Sequence, residues 1–157
     1  MEESVDNLSN FEEFSNMTIK LNRLNKAFAD FIDSILKHNN IYDLSSIQAL
    51  ILINIGEEKT NISRAVSKGY YLGTNTSYNI ESLINKGYLK KQTCNEDMRC
   101  VYLTLTKKGI KALNVTNNAF LSQKKLLTKI GLGTTHIKKI NRTIDALQNV
   151  LVGNYVI

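Results

Sequence analysis

The stretch TNISRAVSKGYYLGTNTSYNIESLINKGYLKKQTCNEDMRCVYLTLTKK, residues 60–108, decides the fold. It opens on a short helical segment and runs into a second, amphipathic helix. In that second helix Ile80, Leu83 and Ile84 share one face at helical spacing, Thr74 offers a hydroxyl cap ahead of them, and Gly87 falls where a left-handed terminal residue is wanted. The other face offers Asn75, Ser77, Tyr78, Asn79, Ser82 and Lys86, hydrogen-bonding side chains rather than a wall of charge. Two runs rich in β-branched and aromatic residues follow, 88–93 and 99–105, with Cys94, Asn95, Glu96, Asp97 and Met98 as the turn between them. On the return strand Val101, Leu103 and Leu105 alternate with Cys100, Tyr102 and Thr104, so one side is buried and one is not.

Upstream, Ser45-Ser46-Ile47-Gln48 has the spacing of a capping box, and the apolar run behind it ends at Ile55 and Gly56, as a buried support helix would. Support helix, short helix, amphipathic helix and hairpin, in that order, outline a winged helix-turn-helix. In such a module the second helix and the hairpin meet the grooves of DNA. The polar face suits base edges, with Asn75, Ser77, Tyr78, Asn79, Ser82 and Lys86 as candidates. Lys59, Lys68, Lys90 and Lys91 are candidates for phosphate contacts.

Outside the reading head the chain reads as an oligomerisation scaffold. Met17, Leu21, Leu24, Phe28, Phe31 and Ile35 form an apolar stripe on a first helix. Ile137, Ile140, Ile144, Leu147 and Leu151 step by three and four along the last helix, a heptad-like seam suited to a homodimer interface. Residues from 106 to about 130 connect reading head to scaffold, and Gly131 and Gly133 mark the turn. The expected fold class is mainly α with a small β-wing. We expect a single domain over 1–157, with an acidic N-terminal extension at 1–15 whose first ten or so residues are poorly ordered, dimerisation helices at 16–40 and 112–157, and the winged helix-turn-helix at 41–111.

Charge agrees with this layout. Residues 59–111 hold ten basic and three acidic side chains, whereas residues 1–58 hold four basic and ten acidic ones. Positive charge is thus concentrated where phosphates would be met. Taken alone, such a run reads more readily as a solvated face, and its coincidence with a helix-turn-helix and wing reverses that preference.

The order Leu44-Ser45 with Gln48, LINKGYL at 83–89, Asp97 with Arg99, and LTKKG at 105–109 resembles the MarR family of winged helix-turn-helix transcriptional regulators. The run GYYLGTNTSYN at 69–79 is similar to a branch of that family controlling L,D-transpeptidase genes. The resemblance covers residues 17–157 and implies a homodimer on a pseudo-palindromic operator. It also implies that the wing sends Arg99 toward a minor groove with Asp97 orienting it, and that a small phenolic or other apolar effector is bound. Phe31, Ile35, His38, Tyr42 and Leu50 are the ligand candidates, with a closed core as the plainer explanation. Two positions depart from the family pattern: Met98 replaces the middle residue of an Asp-Arg-Arg wing motif, and Arg64 stands at a usually apolar position.

An enzyme is not indicated. The sequence holds no glycine-rich phosphate loop, nucleophile elbow or metalloprotease helix, and no cofactor motif. Cys94 and Cys100 lack a second ligand pair, while His38 and His136 stand far apart, so no metal site is expected. No stretch has the length and apolarity of a membrane span and the N-terminus lacks a secretory pattern, which makes a cytoplasmic protein the expectation. Two alternatives stay open. One is a winged helix used for protein docking through Tyr70, Tyr71 and Tyr78. The other is a redox sensor in which Cys94 and Cys100 react, their thiols activated by Lys90, Lys91 and Arg99.

Overall fold

The computed structural model describes residues 2–61, 75–93 and 101–152. Its elements are α1 (Glu2–His38), α2 (Ser46–Ile55), β1 (Thr60–Asn61), α3 (Thr76–Asn85), β2 (Leu89–Thr93), β3 (Val101–Leu105), α4 (Lys107–Lys129) and α5 (Thr134–Val152). They fall into two compact units, Met1–Asn117 and Asn118–Ile157. None of the described helices is long and apolar enough to cross a membrane.

In the first unit, three elements converge on α2. The capping box forms as its sequence demands: Gln48 N–H donates to Ser45 Oγ at 3.3 Å, and Ser45 N–H donates to Gln48 Oε1 at 3.4 Å. A further donor at this helix end, Ser46 N–H, reaches Asp33 Oδ1 of α1 at 2.7 Å. Ala49, Ile51, Leu52 and Ile55 are buried, and they pack with Ile80 and Leu83 of α3 and Leu103 of β3 in one core. Burying one such side chain fully stabilises the fold by roughly 1.5–3 kcal/mol.

The end of α3 is fixed by backbone geometry. Gly87 takes φ +77°, Tyr88 N–H donates to Leu83 O at 2.8 Å and Gly87 N–H to Ile84 O at 2.9 Å, satisfying two otherwise orphaned carbonyls. The chain then turns straight into β2. The sheet is antiparallel in the order β1-β3-β2, with Leu89 opposite Leu105 and Thr93 opposite Val101. Alternation on β3 holds as expected, with Leu103 and Leu105 buried.

Several expectations need correcting. The segment after Gly56 opens as a strand: Thr60 and Asn61 pair with Leu103 and Tyr102 and complete a three-stranded sheet. Helix α1 runs without a break from Glu2 to His38, through the stretch expected as an N-terminal extension. Among the described side chains of α1, Ile32 and Leu36 are fully buried in the core, both 0% exposed, and they neighbour the expected stripe without belonging to it. The stripe itself stays largely open, with Leu24 at 63% and Phe28 at 42% exposure. Thr74 lies outside the described residues, and the N-cap position of α3 is Asn75, which takes φ +78° and makes no side-chain cap bond. Helix α4 starts at Lys107, inside the stretch assigned to the reading head.

The second unit is the later part of α4 and α5, joined through Gly131 at φ +86°, where Leu132 N–H donates to Leu127 O at 2.9 Å. None of its described residues is buried. Ile140, Ile144 and Leu151 of the expected seam are exposed, and Ile137 and Leu147 are half-buried.

Candidate nucleic-acid interface

Helix α3 has three faces rather than two. Thr76, Ile80 and Leu83 point into the core. Ser77, Tyr78, Glu81 and Asn85 are exposed, Tyr78 at 68%. Asn79, Ser82 and Lys86 form a half-buried flank that turns toward α2.

What holds that flank is Gln48, a side chain only 5% exposed. Its Nε2 donates to Asn79 Oδ1 at 3.3 Å and to Ser82 Oγ at 3.2 Å, while its Oε1 accepts from Lys86 Nζ at 3.0 Å. Asn79 Nδ2 in turn donates to Asn75 O at 3.3 Å. The structure therefore turns three of the sequence-derived base readers, Asn79, Ser82 and Lys86, toward the neighbouring helix and engages their polar atoms. A buried amide whose donors and acceptors are all matched is the reason they turn inward. Glu81 and Asn85 stand outside the sequence-derived set yet share the open face with Ser77 and Tyr78. A helical wheel centred on Ile80 and Leu83 puts both on the far side.

The lysines divide as well. Lys90 is exposed on the edge strand β2. Lys91, beside it, forms an ion pair with Glu81 of α3. Lys59 lies with its ammonium 4.2 Å from the centroid of the Tyr102 ring, an attraction between a cation and the ring face. Lys68, Asp97 and Arg99 lie outside the described residues, as do Arg64, Tyr70, Tyr71, Cys94, Met98, Cys100 and the 69–74 part of the GYYLGTNTSYN run.

A second cluster ties the helix to the wing and explains the motifs at 83–89 and 105–109. Thr106 Oγ1 donates to Gly87 O at 2.6 Å and accepts from Gly109 N–H at 3.2 Å, capping α4. Tyr88, 1% exposed, donates its hydroxyl to Asp43 Oδ1 at 2.5 Å. Lys108 Nζ donates to Asp43 Oδ2 at 2.7 Å and to Lys86 O at 3.0 Å, and sits 4.2 Å from the Tyr88 ring centroid. Hydrogen bonds from Lys108 and Tyr88 hold the Asp43 carboxyl below its ordinary range. Burial, with the Asp43 charge beside it, pushes the Tyr88 hydroxyl well above its ordinary value. Gly109 has no room for a side chain, since a Cβ there would stand 2.2 Å from Tyr88 O.

The proposed ligand residues are not enclosed together. Tyr42 is 74% exposed, with its hydroxyl donating to Asn40 Oδ1 at 3.2 Å, and His38 is exposed. Phe31, Ile35 and Leu50 are half-buried.

Residues 44–109 match the family described as Winged helix DNA-binding domain. A curated relative, the exopolysaccharide II synthesis transcriptional activator ExpG of Rhizobium meliloti (strain 1021), is 26% identical over 89 residues. That match covers 57% of this chain and 46% of the relative, so the chain spans about half of that protein's length. Among solved structures, Streptococcus pneumoniae FabT in complex with DNA aligns with a TM-score of 0.69 at 17% identity, over 88% of this chain and 96% of that one. AbsC, a MarR family transcriptional regulator from Streptomyces coelicolor, aligns with a TM-score of 0.68 at 16% identity, over 91% and 95% of the two chains. At these identities the structural likeness establishes the fold.

Proposed function

From a chain that carries a winged helix DNA-binding domain at residues 44–109 and has the fold of the MarR regulators, we propose a homodimeric, sequence-specific DNA-binding regulator of transcription. The observation that carries this reading is the open polar face of α3 beside a lysine-bearing wing strand. Ser77, Tyr78, Glu81 and Asn85 project from a helix whose other two faces are engaged by the core and by Gln48. A short helix so held is a rigid reading element for a major groove. Its orientation owes nothing to the ligand it would meet.

In this reading Lys59, Lys68 and Lys90 hold phosphates and fix register, while Arg99, oriented by Asp97, reaches a minor groove. Asn75 stands at the start of the reading helix with its side chain exposed, close to where a backbone phosphate would pass. Lys91 acts through its ion pair with Glu81. Dimerisation is supported by the α5 seam, where Ile140, Ile144 and Leu151 are exposed and Ile137 and Leu147 half-buried, which a second copy would cover. Two-fold symmetry then calls for a pseudo-palindromic operator. For a small apolar effector the candidates Phe31, Ile35 and Leu50 are half-buried, while His38 and Tyr42 stand open to solvent.

The test is a salt titration of binding to a randomised duplex pool and to the sequences it enriches. Counterion release predicts that log K falls with log salt by about 0.9 for each phosphate contacted. A flat salt dependence, or no binding to duplex DNA, would favour the docking alternative.

A further inference from the structure

Glu81 is a carboxylate on a surface that would meet a polyanion, and the structure gives it a specific neighbour. It lies on the open face of α3, one turn from both Tyr78 and Asn85. Its Oε1 accepts from Lys91 Nζ of β2, and both side chains remain substantially exposed, 52% for Glu81 and 41% for Lys91. Among the described residues nothing donates to Oε2.

On the reading of α3 as the groove-facing helix, we infer that Glu81 is a specificity residue that selects cytosine in the major groove, with Lys91 as the positioning residue that makes its charge tolerable. A carboxylate only accepts hydrogen bonds. Of the four bases, cytosine presents its N4 amino donor in the major groove. Adenine offers N6 beside the N7 acceptor, and guanine and thymine present acceptors there. An acceptor-only group therefore gains from cytosine, gains less from adenine and is repelled by the other two. Left alone, the same carboxylate would also repel phosphates. The Lys91 ammonium offsets that charge from the wing side and draws on Oε1, leaving Oε2 as an acceptor that no described residue engages. This ion pair also joins the reading helix to the wing strand, so the carboxylate is held rather than swinging on its stem.

The experiment is selection from a randomised duplex pool with wild type, Glu81→Ala and Glu81→Gln. Titrations follow on duplex pairs that differ only at the position each variant changes. Wild type is expected to enrich one cytosine in each half-site, with discrimination on the order of ten-fold over other bases. Glu81→Ala should lose preference at that position and keep it elsewhere, and Glu81→Gln should shift it toward adenine, which a glutamine amide matches at N6 and N7. Lys91→Met should weaken binding to every sequence, and Glu81→Gln combined with Lys91→Met should regain part of that loss. An unchanged enriched sequence in Glu81→Ala would overturn the inference while leaving DNA reading intact. A wild-type protein that enriches no sequence would overturn the DNA-binding reading itself. Both Glu81 variants alter an exposed side chain, and unchanged circular dichroism would confirm that the fold persists.

Discussion

Gln48 uses both ends of one amide. Its two donors reach Asn79 and Ser82, and its oxygen accepts from Lys86 and from the backbone of Ser45. Replacing it by leucine keeps the volume but strands these partners in a half-buried seam, so Gln48→Leu should lower stability by about 1–3 kcal/mol in urea unfolding. The Tyr88 to Asp43 bond makes a different prediction, in pH. Folding raises the Tyr88 pKa, so its contribution is fully present below the ordinary tyrosine value of 10.0 and is lost as pH rises above it. Folding lowers the Asp43 pKa, so its contribution is present above 3.8 and is lost as pH falls through lower values. Tyr88→Phe should therefore cost about 1 kcal/mol at neutral pH. It should also flatten the decline of stability above pH 10, in unfolding titrations followed from neutral to alkaline pH. At this scale the sequence showed that α3 has a polar face but could not show which side chains turn inward. That depends on Gln48, 31 residues before Asn79 and 38 before Lys86, and local periodicity carries no information about a partner so distant.

Helix α4 approaches the α3–β2 turn closely because position 109 is a glycine, and the LTKKG motif is as much a packing device as a helix start. In Gly109→Ala the new methyl would overlap Tyr88 O at 2.2 Å and press on Leu105 Cδ2 at 3.0 Å. Helix and turn must separate, and thermal unfolding should report a loss of about 1–3 kcal/mol. Hairpin strands β2 and β3 were legible because alternation on a half-buried strand has a period of two, which Val101, Leu103 and Leu105 display. Strand β1 was not, because two residues are too few to show any period and Thr60 and Asn61 are strand only through their pairing with β3. On α1, one strong stripe concealed the neighbouring face on which Ile32 and Leu36 reach the core.

Across the whole molecule, apolar side chains are distributed unevenly between a packed first unit and a second unit whose described residues are all at least partly open. Replacing both Ile140 and Leu147 by glutamate should yield monomers or insoluble chains, because each change would set an unpaired charge in an apolar seam. Light scattering of wild type and variant at micromolar concentration checks this, and a monomeric wild type would refute the dimer. The uncovered seam also has a consequence for abundance. If pairing supplies the burial that residues 118–152 lack within one chain, folding and association are one equilibrium, and the unfolding temperature climbs with the amount of protein present. A newly made copy without a mate would carry oily helices open to proteases and chaperones, while paired copies would be spared. The cell would then keep this protein either as matched pairs or hardly at all, and its level would respond to synthesis rate more steeply than in proportion.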